Sequence, residues 1–357
     1  IFIRGMEWMN IKEVEELLFS YTEDEKCYKE YYKSKDNKDK LRQFLKNIDL
    51  NFVIDKNILI DELKEYINFP TEMNESLFFE ENSIGDIIMY KHYRYTPAFY
   101  HKHSFFEILY VYSGEITQKI NGESVNLKQG DICMVSPEVE HSLGVFDDSV
   151  IINILIKKST FNDTFFEILR SNNVLSSFFV KILNSKKYNN YIIFHTGEDH
   201  VIKETVLNMY KEFIENERYN EKILNNMLMI FFAYILRYHE NDIETPNEIN
   251  HETDKIIEII NYIQDNYASI TLSKLANEFH FTIQYLSKII KLYTGKTFSE
   301  IVQKIKMYKA STLLLNTNFT VTDISYMVGY DNKEHFIRTF KKNFGVSPTQ
   351  HRKGIKN

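Results

Sequence analysis

Only two cysteines occur in 357 residues, Cys27 and Cys133. They lie far apart and lack the paired spacing of a metal knuckle, which excludes a disulfide framework and a zinc site of that type. They read as ordinary thiols of a reducing compartment. The longest apolar run, Met227 to Leu236, is too short to cross a bilayer, and the N-terminus lacks the basic-then-apolar order of a secretory signal. A cytoplasmic protein without a membrane partner is therefore expected. A phosphate-cradling glycine loop, a dinucleotide fingerprint and a nucleophile–base constellation are all missing, so no enzyme and no cofactor are expected.

What is present is a repeat. Leu272, Leu275, Ala276, Phe279, Leu286, Ile290 and Gly295 are echoed by Val321, Ile324, Ser325, Val328, Phe336, Phe340 and Gly345, at an offset of 49 residues at Ala276/Ser325 and 50 at Leu286/Phe336. A short helical unit repeated at that size predicts two helix-turn-helix units. Thr271 and Thr320 stand as N-caps of each first helix, and Thr282 and Asn332 as N-caps of each second helix. The outward faces of the second helices carry Ile283, Gln284, Ser287 and Lys288 in one copy and Lys333, Glu334, Ile337 and Arg338 in the other. Such groups read base edges and phosphates in a major groove. A polar face on one short helix is ordinarily just solvated. Two copies joined by a long helical pattern (Phe298, Ile301, Val302, Ile305, Ala310, Leu313, Leu314) point instead to double-stranded DNA.

Charge divides the same way. Residues 251 to 357 hold 15 Lys/Arg against 9 Asp/Glu, a net of +6, which leaves −13 of the total −7 on residues 1 to 250. The basic surface that phosphate binding needs is local to the C-terminal part.

On these residues the stretch from Ile256 to Lys353 resembles the DNA-binding domain of the AraC/XylS family of transcription regulators. The family's recognition-helix pattern corresponds to Leu286 to Gly295, its linking-helix pattern to Ala310 to Leu314, its turn to Ile324-Ser325 through Gly329-Tyr330, and its closing pattern to Gly345, Ser347, Pro348 and Arg352. Ile290, Ser325, Tyr330 and Lys306 depart from the family's usual Phe, Ala, Phe and Arg without removing a capping or packing role.

Residues 77 to 156 change character. Leu77 to Glu80, Asp86 to Tyr93, Phe105 to Tyr112, Glu115 to Ile120, Glu123 to Leu127, Asp131 to Val135 and Val150 to Ile156 read as strands of a small barrel, with Asn121-Gly122 as a two-residue hairpin turn. Within it, His101-x-His103-x-x-x-Glu107, then Gly130-Asp131, Pro137 and His141 resemble the two cupin motifs, the second altered by Val139 in place of glycine. In AraC-type regulators the same string accompanies an effector-binding barrel. Two readings stay open: a hydrogen-bonded cluster that is structural or touches ligand, or a metal held by His101, His103, Glu107 and His141. Candidate effector residues are His101, His103, Glu107, Tyr110, Tyr112 and His141, with Phe99, Tyr100 and Phe105 also crowding the histidines. Such a lining suits a sugar stacked on rings, or an acyl chain with its carboxylate near His101 or His141.

Asp199 to Glu240 reads as two helices with apolar stripes, the wider one carrying Leu224 and Leu228. The resemblance implies that helices in this position join two subunits; the alternative is a cover for the barrel. The expected fold is a multidomain α+β chain: a helical extension (1–75) outside the resemblance, an all-β cupin-like barrel (76–160), a helical region (161–240), a linker with Pro246 (241–252) and an all-α double helix-turn-helix domain (253–357). The extension is left as a partner-binding module, an oligomerisation arm or further barrel cover. The expected function is an effector-controlled, homodimeric transcription regulator with promoter DNA and RNA polymerase as partners. The competing readings are a metal-dependent cupin enzyme or sensor, and a regulator controlled by a protein partner through the N-terminal helices.

Overall fold

The computed structural model describes residues 9–67, 70–79, 85–160, 191–245, 251–294 and 296–353. Glu80, Pro246, Gly295 and residues 161–190 lie outside the described residues. The described chain forms two compact units, residues 9–160 with 191–245, and residues 251–353.

The first unit opens with helices α1 (Ile11–Phe19), α2 (Glu23–Ser34), α3 (Lys38–Asn47) and α4 (Leu50–Asp55). Each begins at a side-chain oxygen that satisfies backbone N–H groups of the first turn. Asn10 with Glu13 and Thr22 with Glu25 form full capping boxes, and Asn37 and Asp49 each accept from two N–H groups. Then come β1 (Glu72–Met73) and α5 (Glu75–Phe78). The expected strand at Leu77 to Glu80 is corrected here: Leu77 and Phe78 belong to a single helical turn, from which Phe78, with the following Phe79, meets Phe105 edge-on. A short apolar run suits a buried helical turn as well as a strand, and periodicity cannot separate the two.

The remaining strands are β2 (Ile87–Lys91), β3 (Lys102–His103), β4 (Phe106–Ser113), β5 (Glu115–Ile120), β6 (Glu123–Lys128), β7 (Asp131–Val135), β8 (His141–Leu143), β9 (Val150–Ile156), β10 (Tyr191–His195) and β11 (Ile243–Glu244). Apart from β3, which pairs in parallel with β1, they build a six-stranded sheet, ordered β11-β10-β7-β4-β9-β2, and a three-stranded sheet, β6-β5-β8. The β5–β6 hairpin turns at Asn121 (φ 52°) and Gly122 (φ 85°), both left-handed as a two-residue hairpin requires. Helices α6 (His200–Glu215) and α7 (Asn220–His239) match the two helices expected from Asp199 to Glu240. Two further corrections arise at β10 and β11. Residues 161–240 are not wholly helical, because β10 pairs along β7, and Ile243 and Glu244 are not linker, because they pair with β10. Both pairings are non-local, so no local pattern announces them.

Alternation sorts the β4 side chains. Glu107, Leu109 and Val111 share a face with Val135 and Cys133 of β7 and with Asn153 and Ile151 of β9. Leu109, Val111, Cys133, Val135 and Ile151 join Ile116, Ile120, Val125, Leu127 and Leu143 of the smaller sheet in one core. Tyr110 and Tyr112 fall on the opposite face. Helix α7 meets β2 and β10, and α6 meets β2 and α1.

The N-terminal helices are not a separate extension. Glu25 of α2 is fully buried, and its carboxylate receives Lys91 Nζ at 2.7 Å and Arg94 Nε and Nη2 at 2.9 and 3.0 Å. The same two cations also donate to the Ser20 carbonyl. Burial alone would push the Glu25 carboxyl up, but the bonds from Arg94, Lys91 and the Thr22 N–H outweigh it and hold the group below its ordinary value.

The second unit comprises α8 (His251–Asp265), α9 (Leu272–Glu278), α10 (Ile283–Thr294), α11 (Phe298–Asn316), α12 (Val321–Met327), α13 (Lys333–Phe344) and α14 (Pro348–Arg352). Thr271, Thr282, Thr320 and Asn332 cap as expected, accepting from Lys274, Tyr285, Asp323 and His335 N–H. Both turns close in one way. Phe281 N–H reaches back to the Ala276 carbonyl, Tyr330 N–H to that of Ser325, and the left-handed residue between is His280 (φ 55°) or Gly329 (φ 77°). Gly329 is also sterically required, since a Cβ there would lie 1.9 Å from the Ala268 carbonyl oxygen. Lys306 donates to both the Ala268 and Gly329 carbonyls, at 3.2 and 2.6 Å, and so joins the second turn to the chain ahead of the first unit of the repeat.

Glu25→Ala is expected to lower the stability of the first unit by about 3 to 5 kcal/mol, because two cations would stay buried without their anion. Urea unfolding of the full chain followed by near-ultraviolet circular dichroism measures this. A loss near zero would mean that the helices are held by apolar packing alone.

Candidate functional site

A cavity of about 420 Å³ lies within the first unit. A larger hollow of about 870 Å³, beside Asp131 and His195, is a more open feature. The smaller one is the better candidate, because it combines apolar walls with converging polar groups. Strand pairing builds its floor. Glu107 on β4, Asn153 on β9 and Gln118 on β5 all occupy inward positions, and His141 on β8 is brought to His101 by a bridge between their backbones.

Glu107 organises the floor. Its Oε2 meets His141 Nε2 at 3.0 Å and His103 Nε2 at 3.3 Å, and its Oε1 accepts from Asn153 Nδ2 at 2.9 Å. All three histidines direct Nδ1 at a backbone carbonyl: His101 at Phe99, His103 at Phe105 and His141 at Val139. A carbonyl can only accept, so Nδ1 carries the proton in each ring, and a neutral ring would present a lone pair at Nε2. Facing a carboxylate, that geometry favours imidazolium at His141. Burial pushes His141 down, but the Glu107 hydrogen bond and charge more than reverse it and raise its pKa. Burial likewise opposes ionisation of Glu107, yet bonds from His103 and His141 hold it well below the ordinary carboxylate value. Burial, with the neighbouring His141 charge, depresses His101 to about 4, so it is neutral near pH 7.

Of the predicted effector residues, His101, Glu107 and His141 line the cavity, and His103 reaches it only through Glu107. Tyr110 and Tyr112 are corrected: parity along β4 turns them away from Glu107, and the Tyr112 hydroxyl donates to Glu15 of α1. Tyr100 is 46% exposed, Phe105 packs against Phe78 and Phe79, and Phe99 lines the cavity and stacks on His101. Sequence reasoning missed Tyr90, Gln118 and Asn153, along with a wall from the N-terminal helices that includes Tyr28 and Leu59. The signal for the two amides was present, since each is a lone polar residue at an inward position of an otherwise apolar strand face.

The ligating atoms of His101, Glu107 and His141 lie within 4.8 Å of one another. Two imidazole nitrogens and a carboxylate, each ring fixed by its Nδ1–H, fit a borderline divalent cation, with His101, Glu107 and His141 as the holders. Such an ion would supply Lewis acidity there. His103 is outside that group.

In the second unit, Ile283, Gln284, Ser287 and Lys288 are all exposed on α10. On α13, Glu334 and Arg338 are exposed and Lys333 is half-buried, while Ile337 packs against the core beside Phe336 and Phe340. Lys291 and Lys341 extend the two faces by a turn at matching places and are exposed.

A cavity-bearing β unit and a tandem helix-turn-helix in one chain point to a ligand-binding, DNA-binding regulator. Residues 87–168 match the AraC-like ligand binding domain, and residues 275–354 match a helix-turn-helix domain. The chain is similar to the HTH-type transcriptional activator RhaS of Escherichia coli, 22% identical over 255 residues that span 71% of this chain and 87% of that protein. Among solved structures it is similar to the C-terminal domain of the response regulator yesN from Fusobacterium nucleatum (32% identical, 28% of this chain, 98% of that chain, TM-score 0.27). It is also similar to apo ToxT from Vibrio cholerae (15% identical, 76% of this chain, 97% of that chain, TM-score 0.31). The chain belongs to the AraC family: it is a DNA-binding transcription regulator with a ligand-binding N-terminal domain.

The His141–Glu107 pair makes stability depend on pH. A raised histidine pKa contributes stability that is fully present below about pH 6.5 and is lost as pH rises through the folded value; the depressed Glu107 contributes above about pH 4.3 and loses it as pH falls. The stability difference between the parent chain and His141→Gln, from denaturant titrations, should be larger at about pH 6 than at about pH 9. Equal differences would show that the pair is not an ion pair.

Proposed function

We propose that the unit formed by residues 9–160 and 191–245 senses a small molecule in the Glu107 cavity, and that the unit from 251 to 353 docks two helices in adjacent major-groove segments of promoter DNA. The observation that supports this most directly is the paired construction of α10 and α13, each with a side-chain cap at the matching position, the same turn closure and an outward polar face. On this reading Ile283, Gln284, Ser287 and Lys288 meet one segment, and Lys333, Glu334 and Arg338 the other. Ile337 contributes chiefly through packing, and Lys291 and Lys341 add phosphate contacts. The protein works in the cytoplasm without catalytic turnover, with RNA polymerase as a further partner.

Self-association is assigned to the outer face of α7. Leu224 and Leu228, 2% and 0% exposed, lie inside the protomer, so charges there would unfold it rather than separate subunits. The residues left outside are Ile223, Ile230 and Tyr238, at 39, 48 and 50% exposure, which with Met227 and Tyr234 form an apolar stripe along the helix. Ile230→Glu should therefore give folded monomers in sedimentation, whereas unchanged dimers would move the interface elsewhere.

Lys288→Ala and Arg338→Ala should each weaken specific DNA binding by about 1 to 3 kcal/mol, each at its own half of the footprint. Titrations at fixed salt with both variants decide it. Affinity unaltered in both would remove these helices from the interface.

A further inference from the structure

We infer that the cavity floor takes an organic ammonium group, with the ligand's apolar body held against the aromatic walls. This rests on the reading of the cavity as the effector site and names the chemistry it selects. The argument is an inventory of spare hydrogen-bonding capacity. Asn153 directs Nδ2 at both Glu107 Oε1 and the Tyr90 hydroxyl, at 2.9 and 3.0 Å. A carboxylate neighbour dictates that orientation, since the amide oxygen would repel it. The Asn153 Oδ1 is then left without a partner, and so is Gln118 Oε1, although the two side chains are only 2% and 1% exposed. His101 gives its Nδ1–H to the Phe99 carbonyl, which leaves Nε2 as a lone pair. The unused capacity of these three side chains is therefore acceptor capacity, set in the cavity that Glu107 also lines.

A buried acceptor without a donor is costly, and native structures rarely keep one without a purpose. A carboxylate ligand would bring only further acceptors towards Glu107. The His103 and His141 rings give it no free donor, being engaged at both nitrogens, so the donor left to it at the floor is the O–H of Tyr90, whose oxygen already accepts from Asn153. The expectation of an acyl carboxylate beside His101 or His141 is accordingly the alternative that the test must exclude. A hydroxyl donates once but brings lone pairs of its own. An ammonium donates only, adds no acceptor to those already unmet, and is attracted by aromatic faces such as those of Tyr28, Tyr90, Tyr93 and Phe99, which line the walls.

The test compares benzylamine, benzyl alcohol and benzoate, with the phenethyl analogues, by thermal shift on the full chain, alongside zinc and manganese salts alone. Amines should raise the melting temperature and change DNA affinity, while the matched alcohols and carboxylates should not. Gln118→Leu removes one orphan acceptor without removing any bond that it accepts. It should leave the basal melting temperature equal or higher while weakening amine binding by about tenfold, the factor carried by one hydrogen bond of ordinary strength. An equal or larger response to alcohols or carboxylates would overturn the ammonium assignment and leave the sensor reading intact. A response to metal alone, lost in His101→Ala, would overturn it in favour of a cation site. If no compound of any class changes melting temperature or DNA affinity, both the assignment and the sensor reading fall.

Discussion

Glu25 is the residue on which the first unit turns. It is an anion placed where no water reaches, a position tolerable only because Lys91 and Arg94 arrive from the barrel and the Thr22 N–H from its own helix. The arrangement is reciprocal. Arg94 is 2% exposed and Lys91 8%, so each would be as costly alone as Glu25. Such a cluster specifies position more sharply than apolar packing can, because a shift of an ångström leaves charge unpaired, whereas an apolar contact merely loosens. The helices ahead of the barrel are thereby fixed in register with β2 and the loop that follows it.

That registration reaches the cavity. Tyr28 stands on α2 one turn beyond Glu25, accepts the Leu59 N–H at 2.9 Å, and forms part of the wall with Leu59. Lys91 borders the same cavity while its ammonium holds Glu25. The segment left undecided between a partner module, an arm and a barrel cover thus closes one side of the cavity. The match to the AraC-like ligand binding domain begins at residue 87, so this wall is an addition of this chain to the matched region.

The DNA-binding unit was legible nearly in full, since its evidence is local. Caps, a helical period and a turn residue all fall within a dozen positions, and the second copy checks the first. His280 shows the limit of that reading: it takes the left-handed turn position that Gly329 takes in the other copy, which a histidine does not advertise. The barrel was legible as strands and poorly legible as a surface. Parity from Glu107 alone would have sent Tyr110 and Tyr112 outward, but aromatic character drew them into the expected lining. Tyr191 to His195 joins the sheet only through partners more than fifty residues earlier, a pairing that loop closure hides from any window of sequence.

The histidine cluster shows why a motif underdetermines its chemistry. His101, His103, Glu107 and His141 were visible as a set, but the protons that give the set its character are placed by carbonyls of Phe99, Phe105 and Val139, which carry no side-chain signature. Those carbonyls fix every Nδ1 as a donor and turn every Nε2 inward. Glu107 then satisfies two of the rings and one amide, and the amide's far end is left to whatever enters. Asn153, one polar residue among the apolar side chains of β9, is what converts a satisfied ion pair into a floor with unmet acceptors. On the proposed reading the selectivity of the cavity resides less in its most conspicuous residues than in the amides beside them, of which Gln118 could be altered without removing a bond to Glu107.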